Sequence, residues 1–542
     1  MKGAHALTGM FDAYSNVHRP CVSCYCEDDD LDNPYTECVP VLDSTMRKEI
    51  DHKSVDDLKL ISQHKITENA FFKLNIGGWK YGIWGLCPAE ILHQYYEGLL
   101  SYTLEYFFGS VLTDKSRNNL NSGIQQVIFA CKNQSDRSYP IATYSMGITH
   151  YARMKGTEKF SAIFYLALYF YTKESRRLFN KCQSSLSTAS LQNWRKLFEK
   201  ILFYRDWLMQ ETFFRSDVLE KKTLIIDLFV LFKRLVKRKD GAGLKLPKIH
   251  ELLHSCRDIL RHGPARGYDT CPTESNHRPM KHMSQNTQRI RNRFEEQTAK
   301  RLHEDIVIET AWKNSNLTSI NKEKNLNSVS TTISKQNYLK SKCTKIGKFL
   351  MIRSMKSTKN GNKVRLVDSI NGENIGRKND FTDDLLSFLY KNVMYGIDDN
   401  IHSITCYSTY KRDGFIFYGL SRDQKAVRVN PSWAQFQWDS SDDTPGKCLL
   451  FVDLENVRYK DKKYEYEQEL HVIIQSLNKT PIGTDENNIK IAEKCTLYKK
   501  PSFYCVSVNT IANSAFVIPD IGSDKKDDFI YVYPRDNWKN NF

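Results

Sequence analysis

Residues 88–109 read PAEILHQYYEGLLSYTLEYFFG, and this stretch sets the character of the first half of the chain. Its apolar side chains recur at helical spacing behind a proline, which predicts an amphipathic helix. Further helical patterns occupy residues 120–132, 159–180, 191–214, 221–238 and 247–263. Residues 160–171 (FSAIFYLALYFY) predict a buried helix, because a bilayer span needs roughly 20 apolar residues. We therefore predict a mostly helical region over residues 88–310.

The second half has a different pattern. Beyond about residue 365 the chain alternates short β-branched and aromatic runs, such as KCLLFVDL (447–454) and ELHVIIQSL (469–477), with turn sequences such as SDDTPG. This pattern is typical of short strands joined by loops. We predict a separate small β domain, a barrel or a sandwich.

The charge balance points to a polyanionic partner. The 542 residues carry a net charge of +16, which favours nucleic acid or an anionic membrane surface. Residues 313–365 alone hold thirteen Lys or Arg against one acid, Glu323, in an Asn- and Ser-rich context that predicts a basic linker. Each basic cluster alone is typical of a solvated face, but together they favour DNA. The candidate DNA-binding residues are Lys233, Arg234, Lys237, Arg238, Arg289, Arg291 and Arg293.

Four cysteines near the start form a candidate metal site. Cys21, Cys24, Cys26 and Cys38 have the spacing C-x2-C-x-C-x11-C, and four thiols can hold Zn²⁺ tetrahedrally. The spacing lacks a second C-x2-C pair, and His18 is an alternative ligand. The competing interpretation is a set of reduced structural cysteines, because residues 1–15 show no secretory signal and disulfides are not expected.

Two acid–histidine pairs are candidates for catalysis. Glu90 and His93 lie one helical turn apart, and Glu274 lies three residues before His277 among basic side chains. A carboxylate among bases stays ionised, which is the state that holds Mg²⁺. Spacing alone favours ordinary surface helices at both places. The chain has no P-loop, dinucleotide-binding GxGxxG or GxSxG motif, so it gives no support to kinases, dehydrogenases or hydrolases of the GxSxG type.

Several stretches, in their shared order, resemble eukaryotic DDE transposases, and the closest are CACTA-type elements and their Plavaka-like relatives. These stretches are CVSCYC with DDLDNP and Cys38, CPAEILHQYYEGLL (87–100), LPKIHELLHSCRDILRHGPARGYDTCPTESNH (246–277), AVRVNPSWAQFQWD (426–439), LLFVDLENV (449–457) and FVIPDIGSDKKDDFIYVYPRDNW (516–538). The resemblance covers nearly all of the chain outside residues 313–360.

The resemblance implies an RNase H-like catalytic core interrupted by a large helical insertion. Three acids of such a core hold two Mg²⁺ or Mn²⁺ ions for DNA cleavage and strand transfer. Glu274 matches the last acid, and Glu90 with His93 matches an Asp/Cys-x-x-His signature in which Glu replaces Asp. The second acid falls immediately before Met1, so we expect two of the three carboxylates to be missing from this sequence and the chain to be inactive by itself.

The expected fold is therefore an α+β multidomain protein with a partial RNase H-like core. Its predicted parts are a Cys-rich remnant of that core (1–87), the helical insertion (88–262), the last catalytic segment (263–312), the basic linker (313–364) and the β-rich domain (365–542). We expect a nuclear, transposase-derived DNA-binding protein without a membrane span. A transposase completed by another polypeptide, an inert relic of a mobile element, a nuclear scaffold and self-association into a homo-oligomer stay open.

Overall fold

The computed structural model describes residues 20–51, residues 80–270 with short gaps, scattered helical positions within 296–311, and the strands between residues 343 and 535. The described chain mixes helices with strands, and the strands lie in its C-terminal half. Among the described helices, none combines the length and the apolar character that a membrane crossing requires.

The predicted helical region is confirmed over its described residues. Leu92–Leu100 and Phe107–Val111 are π-helical and flank a short α-helix, so the opening motif forms one continuous helical segment. The α-helices are α1 (Asp43–Asp51), α2 (Ser101–Tyr106), α3 (Asp114–Lys132), α4 (Gly156–Tyr169), α5 (Lys173–Lys181), α6 (Thr188–Leu208), α7 (Arg215–Leu235), α8 (Pro247–His250) and α9 (Ser255–His262).

Helix α4 is the centre of the main core. Every residue from Phe160 to Tyr171 is buried, as the apolar run predicts. Helices α3 and α6 pack against α4. Aromatic rings from neighbouring helices fill this core, and Phe107 meets Phe170, Trp194 and Phe198 with ring centroids 5.0–5.9 Å apart. Edge-to-face and tilted ring pairs of this kind each contribute about 0.5–1.5 kcal/mol beyond the area that they bury.

The strands form one sheet system. They are β1 (Cys343–Arg353), β2 (Val364–Asp368), β3 (Ile401–Arg412), β4 (Phe415–Tyr418), β5 (Trp433–Phe436), β6 (Thr444–Lys460), β7 (Lys463–Lys479), β8 (Ala492–Leu497), β9 (Phe503–Ser507), β10 (Ile511–Ser514), β11 (Phe516–Pro519) and β12 (Asp528–Val532). The main order is β11-β12-β8-β7-β6-β3-β1-β2, with β4, β5, β9 and β10 paired beside it. All pairings among the described strands are antiparallel, and β6 and β7 form the longest hairpin among them.

Among the described strands the sheet stays open: β11 and β2 end the main order and do not pair with each other. The described strands therefore do not form the closed barrel that the sequence pattern allows. The long β6–β7 hairpin explains the difference, because different parts of each strand pair with different neighbours. Strand β7 pairs with β9 through His471–Gln475 and with β8 through Leu477–Lys479.

Part of the predicted linker is a strand. Cys343–Arg353, which lies inside the basic stretch 313–364, forms β1 and pairs with β3 and β2. The physical reason is local: the run KFLMIR contributes apolar residues that suit a strand, and the sequence interpretation gave more weight to the surrounding charge.

The C-terminal strands pack on the helical core. Phe516 is 1% exposed, and its ring centroid lies 4.2 Å from that of Tyr139, which precedes α4. The Tyr139 hydroxyl donates to the Tyr533 carbonyl at 2.9 Å. Arg535 donates to the buried Asp206 carboxylate of α6 at 2.7 Å. The last strands thus share a hydrophobic core with the helices, although the sequence pattern suggests a separate domain.

Candidate metal centre

A short hairpin positions the N-terminal cysteines. The Tyr25 nitrogen donates to the Val39 carbonyl at 2.9 Å, and the Val41 nitrogen donates to the Ser23 carbonyl at 3.3 Å. Between these hydrogen bonds, Cys24 faces Pro40 across an antiparallel bridge. The hairpin therefore brings the cysteine-rich turn and the segment after Cys38 side by side, although a dozen residues separate them in the sequence.

A helix far along the chain supplies two histidines. His250 ends α8, and His254 ends the 3₁₀ turn Glu251–His254 that continues into α9. Residues four apart lie on one face of a helix, and the two imidazole centroids are 4.8 Å apart. Gly263 ends the helix with φ 84° and donates to the Ile259 carbonyl, as the sequence predicts.

The cysteines and the histidines meet in one buried cluster. The ligand atoms of Cys21, Cys24, His250 and His254 all lie within 4.8 Å of one another. Cys24 Sγ is 3.2 Å from His250 Nε2, and Cys21 Sγ is 3.8 Å from His254 Nε2. Cys21 is 5% exposed and the other three are fully buried. This cluster could hold a metal ion.

Cys26 and Cys38 lie at the edge of the cluster. Cys26 is buried, Cys38 is half-buried, and Cys38 Sγ is 4.0 Å from His250 Nε2. Six donor side chains therefore surround this position. The four that share the tightest mutual distances are two of the predicted cysteines and two histidines that the sequence analysis did not nominate.

The electrostatics of the cluster favour a cation. Hydrogen bonding to Cys24 lowers the pKa of Cys38 to about 2 and that of Cys26 to about 6. Burial by itself lowers the pKa of His250, but hydrogen bonds to Cys21, Cys26 and Cys38 outweigh it and raise that pKa well above its usual value. The hydrogen bond from Cys24, and after it the positive charge of His250, thus stabilise the Cys26 and Cys38 thiolates, while contacts with the neighbouring cysteines raise the pKa of Cys24. A divalent metal ion supplies positive charge, and its binding releases the imidazole protons.

The missed histidines had a signal in the sequence. Residues 247–255, PKIHELLHS, place His250 and His254 at i and i+4 behind a proline. Residues 250–254, HELLH, are an HExxH pattern, in which two histidines one helical turn apart bind a metal ion. Their partners lie 226 and 233 residues away along the chain, so local spacing could not pair the two halves.

The predicted basic surface is partly described. Lys233 and Arg234 end α7 and are exposed, as is Lys237 just beyond it. Lys233 Nζ is 3.3 Å from Asp32 Oδ2, and an Arg234 guanidinium nitrogen donates to the Asn193 side chain at 3.0 Å. The acidic turn that follows the metal-centre cysteines therefore contacts the basic end of α7.

His93 lies on the π-helical segment that begins at Leu92, is half-buried, and is not a member of the metal cluster. The remaining predicted site residues lie outside the described residues, and so does the alternative ligand His18. They are Glu90, Glu274, Arg238, Arg289, Arg291 and Arg293.

Comparison of the chain with protein-family models, with curated proteins and with solved structures found no match.

Proposed function

We propose that Cys21, Cys24, His250 and His254 hold one structural Zn²⁺ ion. Thiolate and imidazole are the ligands that zinc prefers, and Zn–S and Zn–N bonds of about 2.3 and 2.0 Å in a tetrahedron place S and N about 3.5 Å apart. The observed sulfur–nitrogen distances of 3.2 and 3.8 Å bracket that value. Since all four ligands are buried, the geometry favours a closed structural site over a catalytic one with an open position.

The proposed zinc ion fastens two distant parts of the chain. One is the cysteine hairpin, and the other is the helical segment α8–α9. Arg257 on α9 supports the same junction by donating to the Ser23 carbonyl at 3.3 Å. The hairpin precedes the predicted helical insertion (88–262), and α8–α9 forms the last part of that insertion, so the zinc ion would hold the beginning and the end of the insertion together. The sulfur–nitrogen distances between these two parts support the proposal best.

We further propose that the protein is a transposase-derived nuclear protein that binds DNA. The net charge of +16 and the exposed bases at the end of α7 support a phosphate partner. DNA cleavage and strand transfer, with Glu274 holding Mg²⁺ or Mn²⁺, belong to the same proposal as the ancestral activity. The contact of Lys233 with Asp32 leaves Arg234 and Lys237 as the stronger candidates for phosphate contacts.

The zinc proposal is tested by metal analysis of the purified full chain. We expect one equivalent of zinc, which is lost in Cys24→Ser and in His254→Asn. Cys256→Ser is the matched control, because Cys256 is buried on the same helix and lies outside the cluster. Retention of zinc in both ligand variants would refute this ligand set.

The DNA proposal is tested by the salt dependence of binding. Affinity for a duplex should fall steeply as salt rises, because phosphate contacts release counterions. Arg234→Gln combined with Lys237→Gln should lower the slope of log affinity against log salt by about 2. Lys115→Gln, an exposed base on α3, should leave the slope unchanged. Binding that does not weaken with salt would contradict the proposal.

A further inference from the structure

A second group of basic residues lies beside the metal centre and away from the clusters that the sequence singled out. Tyr81 is its centre: the Arg261 guanidinium lies 3.6 Å from the Tyr81 ring centroid, and Lys80 Nζ lies 5.0 Å from it. Arg257 stands one helical turn before Arg261 on α9. Lys80, Tyr81, Arg257 and Arg261 are called the Tyr81 cluster below.

Among the described groups, positive charge exceeds negative charge at the Tyr81 cluster. Among the described residues, no carboxylate lies within ion-pair distance of Lys80 or Arg261. Asp258 Oδ1 accepts from Arg257 Nε at 3.2 Å, and its Oδ2 accepts from the Ala89 nitrogen at 2.9 Å. The Arg257 Nη2 atom is buried and has no hydrogen-bond partner within the described part of the chain.

The described elements around the Tyr81 cluster contribute too few carboxylates to neutralise its positive charge. Helix α1 contributes Asp43, whose nitrogen donates to the Lys80 carbonyl, but its carboxylate pairs with Arg47 at 2.7 Å. The described groups here carry four positive charges, on Arg47, Lys80, Arg257 and Arg261, and two negative charges, on Asp43 and Asp258. Two positive charges are therefore in excess. Consistent with this, burial and the neighbouring Arg257 lower the pKa of Arg261.

We propose that the Tyr81 cluster is a contact for DNA phosphates, formed by Lys80 and Arg261 and held in place by Tyr81. Lys80 is exposed and Arg261 half-exposed, so both can reach a backbone. The Tyr81 ring orients the Arg261 guanidinium, which limits the entropy lost when it binds a phosphate. This inference rests on the proposed DNA-binding function. It adds a second DNA contact, formed by α9 and residues 80–81, to the first contact at the end of α7.

The first test is binding of the full-length, zinc-loaded protein to a duplex by fluorescence anisotropy. Lys80→Gln combined with Arg261→Gln should lower the salt slope by about 2, which corresponds to about thirtyfold weaker binding at about 0.15 M salt. Arg266→Gln is the matched control, because Arg266 lies in the next turn of chain but already pairs with Glu211. An unchanged slope in the double variant, with wild-type zinc content, would overturn the inference while the proposed function stands. Absence of any DNA binding by the wild type would overturn both.

A second measurement needs no substitution. Lysine acetylation of the wild-type protein, read by mass spectrometry, should slow at Lys80 when duplex DNA is added and stay unchanged at Lys115. Inorganic phosphate at the same ionic strength should give Lys80 no protection. Protection by phosphate equal to that by DNA would show a small-anion site, and failure of DNA to protect Lys80 would also overturn the inference.

Discussion

Removal of the metal should release the cysteine hairpin before it disturbs the helical core. The hairpin is held by few backbone hydrogen bonds, such as Tyr25 to Val39, and by the small core of Val22, Val41 and Trp84. The metal therefore carries much of its local stability. At free zinc a thousand times the dissociation constant, binding stabilises the closed state by about 4.1 kcal/mol. Chelation should remove that amount, which is about a thousandfold change in the opening equilibrium.

Hydrogen exchange followed by mass spectrometry measures this opening. Peptides that contain residues 21–41 should exchange about a thousand times faster after chelation, whereas peptides from residues 247–262, which are packed into the helical core, should change much less. Peptides from the middle of α6, where Phe198 and Leu202 are fully buried, should keep their protection. Local exchange is the appropriate readout, because it reports the opening of each segment separately.

A double-mutant cycle makes the test specific. Cys24→Ser and His254→Asn each destroy the same proposed site, so the double variant should exchange no faster than either single variant. Cys256→Ser should leave zinc-dependent protection intact. Equal exchange with and without metal in the wild type, or additive effects of the two ligand variants, would refute the view that the metal joins these segments.

The remaining predictions concern the core and its junctions. Phe516→Ala should cost about 3–5 kcal/mol in chemical denaturation, because Phe516 is fully packed against the helices; a loss below about 1 kcal/mol would show that the last strands do not share this core. Asp258→Ala should cost about 2–3 kcal/mol, since it leaves the Ala89 nitrogen and Arg257 without their acceptor; unchanged denaturation would contradict these hydrogen bonds. Burial raises the pKa of the Glu199 carboxyl in the folded state, so between its unfolded and folded pKa values the folded state binds more protons than the unfolded state. Stability therefore falls as the pH rises from the lower of these two pKa values to the higher one. Glu199→Gln should flatten this part of the pH profile of the melting temperature, and an unchanged profile would exclude Glu199 as its source.

Helices were the easiest features to predict from the sequence. The apolar run 160–171 is a buried helix, and Gly263 ends α9, because both depend on residues that are close together in the chain. The strands of the second half were also located, for example β6 and β7 around the runs 447–454 and 469–477. The pairing of the strands and the open edge of the sheet were not predicted, because register depends on contacts between distant strands.

The candidate site was half predictable. Cys21 and Cys24 were nominated from a local spacing, which by itself suggests a metal ligand pair. His250 and His254 were not nominated, although their own spacing is also local. The assignment of the basic stretch 343–353 to a linker failed because its charge was given more weight than its apolar run KFLMIR, which forms a strand and pairs with β3.

The sequence by itself determined the helices, most strands, the basic balance and the presence of two potential ligand pairs, because periodicity and spacing are properties of neighbouring residues. Only the tertiary structure decided that the two pairs meet. That meeting closes a chain segment of 226 residues between Cys24 and His250, and such a closure follows from the packing of α8 and α9 on the helical core. The same packing sets Arg261 on the Tyr81 ring, a contact between residues 180 positions apart that no local pattern contains.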